Sequence, residues 1–304
     1  MIFFSDSDDY PVAPESGDAT SPQDRRIPII SAGLSDQGRV RRRNEDTFRI
    51  FEELNLFIVS DGMGGHPGGD TASELVVTAL PVALEKHISL QTDDEEITIQ
   101  SALYEAVREV CDLVHRKSDE SLEFSGMGAT LVACFIHGRT AHLAHMGDSR
   151  AYLLRKAALE RLTHDHTIPS LLLQMGRISR EEALNHPAHH LLTRHVGMSD
   201  CAWPDLAILD LEEGDRILLC SDGLTNMVSE REIGQTLLSS STPGAACESL
   251  IEMANQAGGQ DNITAMVIQF GEWEQRPHSR KKKVSIRLRV GSSMRCTRGN
   301  EDVI

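Results

Sequence analysis

Leu56-Phe57-Ile58-Val59-Ser60-Asp61-Gly62 and Ile217-Leu218-Leu219-Cys220-Ser221-Asp222-Gly223 share one plan, a short apolar run that stops at Ser-Asp-Gly. Each reads as a buried strand with an acid at its end. A third such run ends in Met146-Gly147-Asp148-Ser149-Arg150, and Asp261 of Gly258-Gly259-Gln260-Asp261-Asn262 stands just before a last strand predicted over Ile263 to Phe270. If that last strand runs antiparallel to the others, all four aspartates reach one edge of the sheets. Glycines let the backbone come close there, and several carboxylates facing one point repel unless a cation neutralises them. Hard oxygen donors without paired Cys or His select Mg or Mn over zinc. Each piece alone has an ordinary reading: Asp-Gly after a strand closes a hairpin, Asn44-Glu45-Asp46 makes a polar loop or strand entrance, and Asp148-Ser149-Arg150 makes a local salt bridge. Their conjunction points to chemistry.

Working outward, Ala72, Leu75, Val76, Ala79, Leu80, Ala83 and Leu84 recur at helical spacing, and so do Leu103, Val107, Val110, Cys111 and Val114. Pro81 falls inside the first pattern and is expected to kink or end that helix. Strand-like runs follow at Leu131 to Ile136, Thr140 to Met146 and Ala151 to Leu154, with a turn at Gly138. Helical stretches at Glu230 to Leu238 and Gly244 to Gln256 precede the last strand. Helices set between groups of neighbouring strands predict a layered α+β sandwich with antiparallel sheets, not a Rossmann fold.

Three regions are expected in the 304 residues. Residues 1–27 lack hydrophobic period and read as a disordered acidic leader, residues 28–271 as one compact domain, and residues 272–304 as a basic tail. Nine Lys and Arg and no acid lie between Arg276 and Arg298, and Val284 to Val290 alternates with the period of a strand. The tail reads as a solvated or edge-strand segment, or as a docking element for an acidic partner or anionic lipid. The net charge of −16 argues against nucleic acid as the main partner. No run approaches the ~18 apolar residues of a membrane span, and no basic region precedes Met1-Ile2-Phe3-Phe4 as in a signal peptide. The six cysteines form no C-x-x-C and read as free thiols in a reducing, cytoplasmic setting.

The motifs Arg41-x-x-Asn44-Glu45-Asp46, Asp61-Gly62-Met63-Gly64-Gly65-His66, Gly126-Met127-Gly128-Ala129-Thr130-Leu131, Gly147-Asp148-Ser149-Arg150, Leu162-Thr163-His164-Asp165-His166, Leu192-Thr193-Arg194, Ser221-Asp222-Gly223-Leu224 and Asp261-Asn262-Ile263-Thr264 occur in this order. Together, over about Ser31 to Phe270, they closely resemble the metal-dependent serine/threonine protein phosphatases (PPM, or protein phosphatase 2C) in their bacterial form. The resemblance implies an α/β/β/α sandwich holding two Mn or Mg ions between its sheets. It implies that Asp61 bridges the ions, that the Gly62 carbonyl binds one, and that Asp222 and Asp261 complete the protein ligands. Asp148 would help hold a weaker third ion, with Glu45, Asp46 and Asn262 acting through bound water or behind the ligands. A water bridging the ions would attack phosphoserine or phosphothreonine without a phosphoenzyme, and Arg41 would grip the phosphate, with Arg42 and Arg43 as neighbours that blur the choice. Met63 cannot protonate the leaving oxygen, which leaves His66 as the candidate, or as a cap on the next helix. The implied substrate is a phosphoprotein, and the implied setting is the reversal of a cytoplasmic Ser/Thr kinase.

Residues 164–190 correspond to the family's flap. Its histidines His164, His166, His186, His189 and His190 lack partner cysteines, and Pro187 separates two of them, so they read as substrate contact or solvated surface rather than zinc ligands. Ser179 is expected to cap a short helix. The rival from another class is a pseudophosphatase that binds a partner without turnover, a reading that usually needs a missing acid. A nucleotide-binding module has only the weak signal of Gly62-Met63-Gly64-Gly65.

Overall fold

The computed structural model describes residues 27–63, 68–90, 99–120, 122–199, 203–271 and 289–290. The strands in chain order are β1 (Ile29–Asp36), β2 (Asp46–Phe51), β3 (Leu56–Asp61), β4 (Leu131–His137), β5 (Thr140–Met146), β6 (Arg150–Arg155), β7 (Ala158–Arg161), β8 (Asp205–Asp210), β9 (Asp215–Cys220), β10 (Ile263–Phe270) and β11 (Arg289–Val290). The helices are α1 (Gly69–Ser89), α2 (Ile99–Asp119), α3 (Ile168–Gln174), α4 (Arg180–Leu184), α5 (Asp222–Thr225), α6 (Glu230–Ser239) and α7 (Pro243–Gln256).

Because the central strands carry unbroken apolar runs, Leu56–Val59 in β3, Leu131–Ile136 in β4 and Ile217–Cys220 in β9, both of their faces must be covered. In β3, Phe57 and Val59 pack between the sheets while Leu56 and Ile58 pack outward beneath α1 and α2. In β9, Ile217 and Leu219 face the inter-sheet core while Leu218 and Cys220 join the layer with α6 and α7. The result is the expected α/β/β/α order, with sheets β1-β10-β9-β6-β7 and β11-β8-β5-β4-β3-β2. Among the described residues, neighbouring strands within them pair antiparallel. Cys220 at the end of β9 pairs with Ala265 on one side and Arg150 on the other, so the loops bearing Asp222, Asp261 and Asp148 are neighbours.

Pro81 does not end α1, which runs on to Ser89, so of the two outcomes expected from sequence the early end is ruled out. A proline inside a helix costs about 3 kcal/mol. Pro81 is itself buried along with Val77, Leu80 and Leu84, and since each buried Val or Leu contributes roughly 1.5–3 kcal/mol, the packing of the three together outweighs the cost of the proline. Ser179 does cap α4, through a reciprocal pair with Glu182. Cys111, Cys134, Cys220 and Cys247 are free and buried, and burial pushes the Cys134 and Cys220 thiols up to about 12. Of the alternating tail, β11 pairs with β8 at the sheet edge; the rest of the tail and residues 1–26 lie outside the described residues. Among the described residues no helix is long and apolar enough to cross a membrane.

Candidate metal centre

Asp61 closes β3 directly opposite Asp46, the first residue of β2. The next residue, Gly62, donates its N–H to the Glu45 carbonyl at 3.1 Å, and a side chain there would run into the Gly69 carbonyl at the start of α1. Only glycine fits where these three segments meet. Asp222 opens α5 beyond β9, Asp261 precedes β10, and Asp148 lies between β5 and β6.

Burial and then the charges of Asp46, Asp222, Asp148 and Asp261 raise the Asp61 carboxyl well above its ordinary range. Asp148 is raised in the same way, by burial and then by Asp222 and Asp165. Burial pushes Asp46 and Asp222 up to about 6. Asp46 Oδ1 and Asp222 Oδ1 are buried without a hydrogen-bond partner. Orphaned anionic oxygens converging from several elements are what a hard divalent cation corrects, and an all-carboxylate donor set suits Mn or Mg. The residues present therefore fit the metal pair that the sequence implies.

Arg41 lies against this cluster, its Nη2 donating to Asp261 Oδ2 at 2.8 Å. Arg42 and Arg43 are exposed. Asn262 organises the Arg41 loop: its Nδ2 donates to the carbonyls of Gln37 (2.9 Å) and Arg43 (2.8 Å), and its Oδ1 accepts from Glu45 N–H at 2.9 Å. Glu45 is only partly enclosed, and burial raises its carboxyl too. His66 lies outside the described residues.

Several supports were not assigned from sequence. Asp46 Oδ2 accepts hydroxyl bonds from Ser221 and Thr264, both 2.7 Å, and so ties β2 to the other sheet. Ser60 donates to the Thr130 carbonyl at 2.6 Å, while Thr130 Oγ1 accepts from Asp61 N–H at 2.9 Å and meets Ser149 Oγ at 2.6 Å. The signal was in the text, since both Ser-Asp-Gly motifs place a hydroxyl before the acid. Arg150 does not make the local salt bridge with Asp148; it grips Asp165 with two bonds of 3.0 and 2.8 Å. Nor is every flap histidine solvated surface, because His166 is buried and bonded to Asp205 at 3.0 Å.

The model of the protein phosphatase 2C family matches residues 37–266, most of the chain. The chain belongs to the protein phosphatase 2C family. Among protein phosphatase 2C relatives, the serine/threonine phosphatase stp of Listeria monocytogenes is 39% identical over 238 residues, 77% of this chain and 93% of that protein. The protein phosphatase PhpP of Streptococcus pneumoniae is 37% identical over 243 residues, 79% of this chain and 96% of the relative. In structure the chain is similar to the serine/threonine phosphatase PstP/Ppp of Mycobacterium tuberculosis, with a TM-score of 0.71, 36% identity, and coverage of 81% of this chain and 100% of that one. A structure of the PstP catalytic domain in complex with two manganese ions matches with a TM-score of 0.69 at 34% identity, covering 81% of this chain and 99% of that one.

Proposed function

We propose that this protein is a metal-dependent phosphatase that removes phosphate from phosphoserine and phosphothreonine in proteins. The observation that carries the reading is the convergence of Asp46, Asp61, Asp148, Asp222 and Asp261 on one sheet edge, with buried oxygens left unpaired and Arg41 beside them. The relatives' names and the manganese of PstP support it.

Asp61, the Gly62 carbonyl, Asp222 and Asp261 would hold two divalent cations, Mn or Mg, and Asp148 a weaker third. Bound there, the cations supply a water acidic enough to attack phosphorus near neutral pH and positive charge to offset the phosphoryl oxygens. Glu45 and Asp46 stand behind these ligands. Asn262 fixes the loop from which Arg41 presents a planar, permanently charged fork matched to phosphate oxygens. His66 is the proposed proton donor to the leaving oxygen. The catalytic unit is residues 28–271, acting against a cytoplasmic Ser/Thr kinase, and the basic residues 272–304 offer a dock for an acidic partner.

Purified protein is expected to hydrolyse a phosphothreonine peptide with Mn or Mg and to stop in EDTA. Silence with every cation, from protein shown to be folded, would favour the partner-binding alternative. Arg41→Ala should raise KM for the peptide about tenfold, with a smaller change in kcat, as expected when a group binds ground and transition states alike. Arg42→Ala and Arg43→Ala should stay near wild type; a larger effect from either would move the phosphate grip to that residue.

A further inference from the structure

The loop that carries Asp148 is fixed by a residue far away in sequence. His166 donates its backbone N–H to the Gly147 carbonyl at 2.8 Å, and Gly147 N–H donates back to His166 Nδ1 at 3.1 Å. With both groups of Gly147 held, the rotation of the backbone entering Asp148 is set. Gly147 needs that external hold, because it sits at φ +105°, where a side chain would also meet Thr130 Cγ2 at 2.6 Å. On its other side the loop is tied to Asp61, through Ser149 and Thr130.

Because Nδ1 accepts from an amide, the ring proton belongs on Nε2, which donates to Asp205 Oδ2 at 3.0 Å. Asp205 Oδ1 accepts in turn from Arg194 at 2.7 Å. Burial opposes the charge on Asp205, but the bonds from His166 and Arg194 prevail and hold its carboxyl well below the usual range. The His166 carbonyl accepts from Thr193 N–H at 2.7 Å, and Thr167 bridges Leu192, so both ends of the flap meet at this residue.

We propose that His166 is a positioning residue for the metal centre: by accepting Gly147 N–H at Nδ1 while donating from Nε2 to Asp205, it aims Asp148 and couples that aim to the base of the flap. The proposal rests on the reading of Asp148 as a cation-binding carboxylate. His145, His166 and Asp205 do lie close enough together to resemble a zinc triad. The Gly147 amide argues against a metal there, because it places the proton on Nε2, the atom facing Asp205.

The test separates the two halves of the ring. In His166→Asn the amide oxygen replaces Nδ1 as acceptor but does not reach Asp205, whereas His166→Phe supplies neither bond; a cavity of about 270 Å³ beside the ring leaves room for both. In cation-free protein, His166→Phe should speed amide exchange of the 146–149 segment at least about tenfold, and His166→Asn should restore most of the protection. With Mn and a phosphothreonine peptide, His166→Phe should raise the Mn concentration for half-maximal turnover about tenfold at unchanged KM, as expected for loss of a group behind a ligand. Asp148→Asn should shift the same Mn curve.

Wild-type exchange and an unmoved Mn curve in a folded His166→Phe protein would overturn the proposal, as would equal damage from Asn and Phe. Stoichiometric zinc bound by wild type, lost in Asp205→Asn and kept in Asp222→Asn, would also overturn it. If Asp148→Asn leaves the Mn curve in place, the reading of Asp148 fails instead, and the exchange data show whether His166 still holds Gly147.

Discussion

Asp222→Asn is expected to abolish cation-dependent phosphate release while making the cation-free protein harder to unfold. The loss should be at least about a thousandfold in kcat, some 4 kcal/mol, since a ligand shared by the chemistry and the cation pair disappears. The gain in stability follows from the same carboxylate. Asp222 Oδ1 has no hydrogen-bond partner, and burial with the Asp261 charge lifts the group from 3.8 to about 6. A carboxyl whose folded pKa exceeds its unfolded value favours the fold below the unfolded value and loses that contribution as pH rises through the folded one. Neutral asparagine keeps the shape and removes the charge, and can still meet Asn226, which bonds Asp222 Oδ2 at 3.1 Å. In EDTA the variant's melting temperature should therefore match wild type near pH 4 and exceed it by several degrees at pH 7.5, on the order of 2–4 °C per kcal/mol. Taking the difference between the two proteins cancels the buried histidines His142, His145 and His166, whose lowered pKa values act in the opposite direction in this window. Full activity in the variant, or a stability difference that shrinks as pH rises, would remove Asp222 from the proposed ligands.

Much of this arrangement was legible because strands of this kind announce themselves. β9 carries the apolar run Ile217–Cys220 and β10 the run Ala265–Ile268, a pattern that covering on both faces explains, and the acids beyond their ends had to share an edge once the pairing was antiparallel. The early end expected at Pro81 fails because local propensity sees the missing N–H and not the burial of α1 against α2. The supporting shell was hidden for a different reason. Thr264 and Ser221 hold Asp46 across 218 and 175 residues of chain, and His166 reaches Gly147 across 19, so no spacing rule joins them. Even Arg150 takes Asp165 as its salt-bridge partner and not Asp148 two residues away, so its charge offsets only part of the burial and repulsion that raise the Asp148 carboxyl.

The opposite end of β9 should behave in the opposite way. Asp215, its first residue, is a buried carboxylate with both oxygens partnered. Arg155 Nε donates to Asp215 Oδ1 at 2.8 Å and Nη2 bonds Oδ2, while Glu212 N–H donates to Oδ2 at 2.8 Å. Both side chains are almost fully enclosed, 8% exposed for Arg155 and 2% for Asp215, and without Asp215 the guanidinium would keep only the half-exposed Glu212 carboxylate at 3.3 Å and the Asp210 carbonyl. Asp215→Asn should accordingly destabilise the protein by about 3 kcal/mol, the low end of the cost of breaking a buried pair because Glu212 still faces Arg155, and lower the melting temperature by about 6–12 °C. Replacing both partners, Arg155→Met with Asp215→Leu, should recover much of that loss, because the uncompensated charge goes with the pair. Turnover per folded molecule should stay near wild type in either protein, since the pair lies at the far end of β9 from Asp222. A single substitution that moves the melting point by less than about 2 °C would show the pair to be dispensable. A fall in kcat at constant folded fraction would show that the strand transmits strain along its length. β9 is thus flanked by two aspartates of different kind: Asp215 at its start, paired with Arg155, holds the sandwich together, while Asp222 just beyond its end keeps one carboxylate oxygen without a partner, which the proposed cation would relieve.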